Sequence, residues 1–377
     1  MKSNIVNLLS KVVSINSIYP NEHDLIYFLR DYFNINNVKY YNQFVENNRS
    51  NLVLNKGKSI KSILLYSHLD TVGVTQGWNT NPLKLITVGD KAYGLGAWDM
   101  KAGMVANILA FQNFKPKNFT LKMAFCVDEE NISKGGHALI KHHFMKDVSC
   151  VMSPEPAFFH GVNGVVIGRI GRAVYDIEIG GESKHFAFYD SKYDINKFTG
   201  ELLLQLNSIN KFVNNERKQF VFARKIHSEA IGMSIPQKTS IQLDSSVLPP
   251  NSHKKILENI ISITKNVNRK YNNYFKITVG FLKRETPFLE PYKIDNEDKY
   301  LNNLSQSILS VTGKKAVPYF RSSVADENIF GSHGYTVLGI GPVGGNAHAP
   351  NEWVSISSAE TLYNIIIDFL KRVDENL

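Results

Sequence analysis

The chain has 377 residues, 43% of them hydrophobic, and carries 43 Lys and Arg against 34 Asp and Glu. Such a length buries a large core, ordinarily in two domains, and the lack of long polar tracts argues against disorder. No window approaches the ~18 uninterrupted apolar residues of a membrane span. Cys126 and Cys150, the only cysteines, each sit inside an apolar run, which reads as two buried thiols of a cytoplasmic protein and not as a disulfide framework.

In chain order, Ile5, Val6, Leu8, Leu9, Val12 and Val13 are apolar at helical spacing. Asn4, Asn7 and Lys11 interrupt them, and no small-residue cleavage site follows, so this is a helix and not a signal peptide. A second helix is predicted over 22–33. Buried strands are predicted at 63–66, 121–127 and 148–152, with helices over 100–111 and 133–144 between them. This alternation predicts an α/β fold, an open and mostly parallel sheet flanked by helices. The same pattern resumes late, with a helix at 299–311, a strand at 335–340 and a closing helix at 358–373.

The middle of the chain reads differently. A strand at 173–179, a helix at 196–206, strands at 220–224 and 239–243, a helix at 253–267 and a strand at 275–281 make β-α-β-β-α-β. That is a ferredoxin-like α+β order inserted into the first domain. The expected division is therefore residues 1–170 with 285–377 as one domain and 171–284 as the other. The second holds 18 Lys and Arg against 10 Asp and Glu, so most of the net +9 lies there. A solvated basic surface accounts for it; the sharper reading is attraction of an acidic substrate or carrier protein. The basic residues are dispersed and no nucleic-acid module appears, so neither nucleic acid nor membrane is an expected partner.

His68, Glu129, Glu130 and Glu155 each come at or just after the end of a predicted strand, the edge where open α/β sheets bind ligands. Asp99 precedes a helix and His348 follows the last predicted strand. Two imidazoles and three carboxylates hold two divalent ions if one carboxylate bridges, and Asp99 suits that place. A water between the ions becomes a nucleophile near neutral pH, and a carboxylate not tied to metal takes its proton. Glu129 beside Glu130 offers one base and one ligand, and Asp70 would orient His68. Taken singly, each is more often a surface or core residue; the signal lies in the ordered set. His137, His142, His143 and His160 match nothing and read as surface or structural.

The motifs Ser67-His68-Leu69-Asp70-Thr71-Val72, Gly94 to Lys101, Asp128-Glu129-Glu130, Pro154-Glu155-Pro156 and Gly341-Pro342 through His348 and Asn351-Glu352 occur in order along the whole chain. As a set they resemble the zinc metallopeptidase and deacylase family of acetylornithine deacetylase, succinyl-diaminopimelate desuccinylase, aminoacylase and glutamate carboxypeptidase. The resemblance implies a zinc-exopeptidase-like fold and assigns His68 and Glu155 to one metal, Glu130 and His348 to the other, Asp99 as bridge and Glu129 as base. The metals would be zinc, with cobalt or manganese also suited. It also implies that the inserted domain is a lid and forms a homodimer, and that His185, in Gly181 to His185, stabilises the oxyanion in the partner's site.

Several elements depart from the family pattern. Serine stands at Ser246, where relatives often carry a carboxylate-gripping arginine two positions after an aspartate. Ser234-Ile235-Pro236, Tyr189, Asp194 to Lys197 and Ser323-Val324-Ala325-Asp326 are also altered. Arg321 and Asp326 are the expected substrate-binding residues, and Arg169, Arg172 or Arg224 would also offer the bidentate fork. The expected reaction is deacylation of an N-acyl amino acid. Alternatives are carboxypeptidase or dipeptidase action on short peptides, release of an amino acid from an acidic carrier protein, or a non-catalytic binding relative, against which the intact Glu129 argues.

Overall fold

The computed structural model describes residues 1–214 and 218–376. It divides into two compact units: Met1–Ile167 with Ile294–Tyr319 and Ala325–Leu377, and Gly168–Lys293 with Phe320–Val324.

In the first unit Ser62–His68 is flanked by Thr120–Cys126 and Val148–Ser153, with Thr336–Gly339 beyond, all running parallel. All seven residues of Ser62–His68 are buried. That requires cover on both faces, and an apolar run such as Ile63-Leu64-Leu65-Tyr66 is the sequence form of a strand so placed. Helix Ala102–Asn113, buried almost throughout, packs on Ser62–His68 and against the closing helix Ile356–Glu375. Phe33 of helix His23–Ile35 meets Phe125, with ring centroids 5.9 Å apart.

The sheet continues on one side through Arg49–Lys56 and Tyr40–Glu46, both antiparallel, a hairpin absent from the sequence reading. Its outer strand buries little, so it lacks the unbroken apolar run that marked the others. Asn47, with φ 43°, makes the turn, a conformation asparagine tolerates better than most residues. A small antiparallel sheet of Ile86–Val88, Lys91–Tyr93, Trp353–Ser355 and Gly344–Gly345 was likewise not foreseen, its strands being too short for any period. The helix expected over 133–144 stops at Ile140, and the His142 ring then accepts the Phe144 N–H to open a separate turn. Both cysteines are free and buried. Among the described residues no helix is long and apolar enough to cross a membrane.

The second unit is an antiparallel sheet ordered Lys211–Phe212, Lys218–Ser228, Lys238–Val247, Gly171–Gly180, Lys276–Phe281. With helices Ile195–Leu206 and His253–Lys270 it realises the β-α-β-β-α-β order. Tyr175, Ile177 and Ile179 of strand Gly171–Gly180 pack with Phe198 and Leu202 of one helix and Ile256 and Ile260 of the other. Asp194 caps the first helix by accepting from the Asn196 and Lys197 amides, and Ser252 caps the second. The altered Asp194-Ile195-Asn196-Lys197 segment is therefore a helix start.

His253 is 3% exposed, and burial pushes its pKa from 6.5 down to about 4, although Glu290 stands 3.4 Å from Nδ1. The native state thus favours neutral imidazole, and between these values the unfolded chain binds a proton that the native chain does not. The stability this contributes is whole above pH 6.5 and is lost as pH falls toward 4, by up to about 3 kcal/mol. His253→Gln should flatten that slope in urea titrations across the window; an unchanged slope would refute the assignment.

Candidate metal centre

His68 ends its strand, and Glu129, Glu130 and Glu155 follow the two strands parallel to it, so all four reach the same edge of the sheet. Asp99 lies in the turn before helix Ala102–Asn113, and His348 in the loop between Gly344–Gly345 and Trp353–Ser355. Glycine permits the close approach at two points. A Cβ at Gly341 would stand 1.8 Å from the Glu155 carbonyl oxygen, and one at Gly96 would stand 2.4 Å from Thr71 Cγ2. Gly96 also has φ 68°.

Asp99 lies between the two imidazoles, one oxygen to each: Oδ1 is 3.4 Å from His68 Nε2 and Oδ2 is 3.3 Å from His348 Nε2. His68 Nε2 is also 3.5 Å from Glu155 Oε1, and His348 Nε2 is 3.0 Å from Glu130 Oε1. Buried His68 Nε2 makes no hydrogen bond. Bonds of ~2.0–2.1 Å in tetrahedral geometry leave neighbouring ligand atoms about 3.3 Å apart, so the separations of 3.3 to 3.5 Å suit donors facing a shared ion, while the His348–Glu130 contact also serves as a hydrogen bond. His68, Asp99 and Glu155 form one triplet with ligand atoms within 4.8 Å, and Asp99, Glu130 and His348 a second. His68, Glu129 and Glu130 form a third. An imidazole and carboxylate donor set of this kind fits two divalent ions.

The electrostatics describe a site short of positive charge. Burial raises the pKa of Glu129, and Glu155 and Glu130 raise it further; burial also raises Glu130. Burial works to raise Asp99 too, but the His348 and His68 imidazoles outweigh it and hold it low. Burial opposes a charge on His68, yet Asp70 and Asp99 overcome it, while Asp99 and Glu130 push His348 up to about 11.

A layer behind these residues holds them. Asp70 is 1% exposed; its carboxylate accepts the Glu129 N–H at 3.1 Å and the Glu130 N–H at 2.8 Å. Its carbonyl oxygen lies 3.0 Å from His68 Nδ1, and the carboxylate is farther, at 3.6 Å. Asp70 therefore meets His68 mainly through the backbone, and its side chain holds the glutamate turn. Glu352 does the same for Asp99, accepting the Gly96, Trp98 and Asp99 amides at 2.7, 2.8 and 2.9 Å. Asp326 is 1% exposed and accepts from the Tyr66 hydroxyl at 2.6 Å, while its own N–H points to Glu129 Oε1 at 3.3 Å. Sequence reasoning gave Glu352 and Tyr66 no role. The available signal was the place of Glu352 four residues after His348, which only topology could turn into a contact.

His185 is exposed in the second unit, and its Nδ1 accepts from the Ala187 N–H at 3.2 Å. Arg321 is buried, and Arg169 donates from Nη1 to Ser323 Oγ at 2.9 Å. Ser246 stands directly across from Arg172 on the neighbouring strand. The Arg172 guanidinium reaches Asp244 through Nε at 3.1 Å and Nη2 at 2.7 Å, with Arg224 3.6 Å from the same carboxylate. His137, His142, His143 and His160 belong to none of the three triplets.

The fold and this donor set define a metal-dependent amide hydrolase. A family model, Peptidase family M20/M25/M40, matches residues 64–372, and the chain belongs to that family. The chain is 26% identical over 380 residues to succinyl-diaminopimelate desuccinylase of Sulfurovum sp. (strain NBC37-1), covering 98% of each. It is 23% identical to the enzyme of that name from Wolinella succinogenes, covering 98% of this chain and 100% of the relative. Among solved structures, aminopeptidase PepT from Bacillus cereus shares the fold at TM-score 0.80 and 15% identity, with 99% of both chains covered. A dinuclear metal-binding M20 peptidase from Bacillus subtilis does so at TM-score 0.77 and 12% identity, covering 100% of this chain and 99% of that one.

Glu352→Gln keeps one acceptor oxygen and puts an NH2 group, which cannot accept, in place of the other. It should destabilise the chain by about 1–3 kcal/mol in chemical denaturation and weaken metal retention under chelator challenge. Wild-type behaviour in both measurements would show that the amides have other partners.

Proposed function

We propose that the chain deacylates an N-acyl amino acid, in the manner of the desuccinylases it is similar to. His68, Asp99 and Glu155 would hold one divalent ion and Asp99, Glu130 and His348 the other, with Asp99 as the bridge. Zinc is the preferred ion, and cobalt or manganese would suit the same donors. When bound, the ions supply Lewis acidity, polarising the scissile carbonyl and making water acidic near neutral pH. Glu129 takes the proton from the attacking water and returns it to the leaving nitrogen as the C–N bond breaks, yielding a carboxylate and a free amine. Asp70 keeps Glu129 and Glu130 in register through their amides, and Asp326 supports Glu129 with its own. The observation that carries this reading is the single Asp99 carboxylate facing both imidazoles, with the half-buried Glu129 beside His68.

In the same reading residues 171–284 act as a lid and pair two chains as a cytoplasmic homodimer, with His185 steadying the oxyanion in the partner's site. The substrate carboxylate falls to arginine. Arg172 is the preferred anchor because Asp244 holds its fork beside Ser246, and Arg321 is the other candidate. A second reading, release of an amino acid from an acidic carrier protein, is favoured by the basic surplus of residues 171–284, 18 Lys and Arg against 10 Asp and Glu.

Metal-loaded protein should cleave a panel of N-succinyl and N-acetyl amino acids, read by mass spectrometry. Glu129→Gln should lower kcat by roughly 100-fold or more while both ions stay bound. Full activity in that variant, or no cleavage of any acyl amino acid, peptide or carrier conjugate by the metal-loaded wild type, would defeat the proposal. Arg172→Gln should raise KM about tenfold or more for free-acid substrates and leave their carboxamides unaffected. Equal effects on both would reassign the anchor.

A further inference from the structure

Glu129 and Glu130 leave the sheet through Asp128, a fully buried aspartate with φ 74°. A non-glycine residue keeps such a conformation only where its surroundings determine it. Here every polar atom of Asp128 is engaged. Its N–H donates to Glu22 Oε1 at 3.2 Å, its carbonyl accepts from Ser133 at 2.7 Å, and Oδ2 accepts the Lys134 amide at 2.9 Å. Oδ1 accepts from Arg49 Nη2 at 3.0 Å and from Asn131 Nδ2 at 3.2 Å.

Arg49 links these contacts. It is 6% exposed and stacks 4.7 Å over the Tyr19 ring. Its fork holds both oxygens of Glu22, itself fully buried, while Nη1 reaches Glu46, which in turn pairs with Lys134. One guanidinium thus joins the start of helix His23–Ile35, the hairpin strand Arg49–Lys56 and the turn that carries the two glutamates. That turn is gripped on its other side by Asp70. Lysine would bring the charge but not the planar fork that serves three carboxylates at once.

We propose that Arg49 is a positioning residue for the hydrolysis: through Asp128 and Glu22 it sets the backbone turn from which Glu129 faces its substrate. The inference rests on Glu129 being the base, as argued under Proposed function. Arg49 touches no metal ligand in any of the three triplets, so its loss removes no donor and acts only through the turn.

The test is a double-mutant cycle on metal-loaded protein, with kcat, KM and bound metal measured for Arg49→Lys, Glu129→Gln and the double variant. Asp128→Asn is made in parallel, since it keeps the side chain's shape where loss of the fork could unfold the chain. Arg49→Lys and Asp128→Asn should retain both ions and KM and lose kcat about tenfold or more, whereas in the Glu129→Gln background Arg49→Lys should cost less than about twofold. Unchanged kcat in folded, metal-loaded variants would overturn the inference. So would loss of metal in step with activity, or an equal loss of kcat in both backgrounds. Full activity of Glu129→Gln by itself would sink the base assignment and this inference with it. A deficient Glu129→Gln beside an unaffected Arg49→Lys would sink only the inference.

Discussion

Everything at the sheet edge depends on holding like charges together. Asp70, Asp99, Glu129, Glu130 and Glu155 converge on two imidazoles, and several are buried where water cannot screen them. Burial raises the cost of each negative charge, which is why Glu129 and Glu130 have raised pKa values and why Asp99, between the two histidines, does not. Two divalent cations are the economical physical answer to such a cluster, and the family to which the chain belongs is one of metal-dependent hydrolases.

Side chains alone would not keep that geometry. The turns bearing the donors are held by carboxylates that accept backbone N–H groups: Asp70 for residues 129 and 130, Glu352 for 96, 98 and 99. A backbone amide has no alternative rotamer, so a carboxylate anchored to it fixes the main chain from which a donor projects. Arg49 with Glu22 extends the same principle to Asp128, whose left-handed backbone needs support from both sides. The acids that orient this centre are thus as buried as those proposed to bind metal, and their partners are chiefly peptide groups.

The second unit is built on different grounds. Its sheet has one apolar face covered by two helices, with Arg172, Arg224 and Asp244 elsewhere on its strands. The register places Ser246 directly opposite Arg172. The Arg172 guanidinium is held there by the Asp244 carboxylate through two hydrogen bonds.

What the sequence by itself determined is whatever period and punctuation encode. The unbroken apolar run ending at His68 declared a strand buried on both faces, and the β-α-β-β-α-β order of the middle segment followed from its alternating patterns. The ordered set His68, Asp99, Glu129, Glu130, Glu155 and His348 also declared its chemistry, because few other arrangements place these residue types just beyond strand ends. Only the tertiary structure decided which carboxylates face one another and which face the backbone. Glu352 and Arg49 are distant in sequence from the groups they hold, by 253 residues for Asp99 and 79 for Asp128, and no local pattern encodes such a contact. Asp70 was legible as a partner of His68, two residues away; that its carboxylate would instead serve residues 129 and 130 depended on two parallel strands lying side by side. Local sequence sets which elements form, but hydrogen bonds at a sheet edge are set by which strands become neighbours, a property of the whole packed chain.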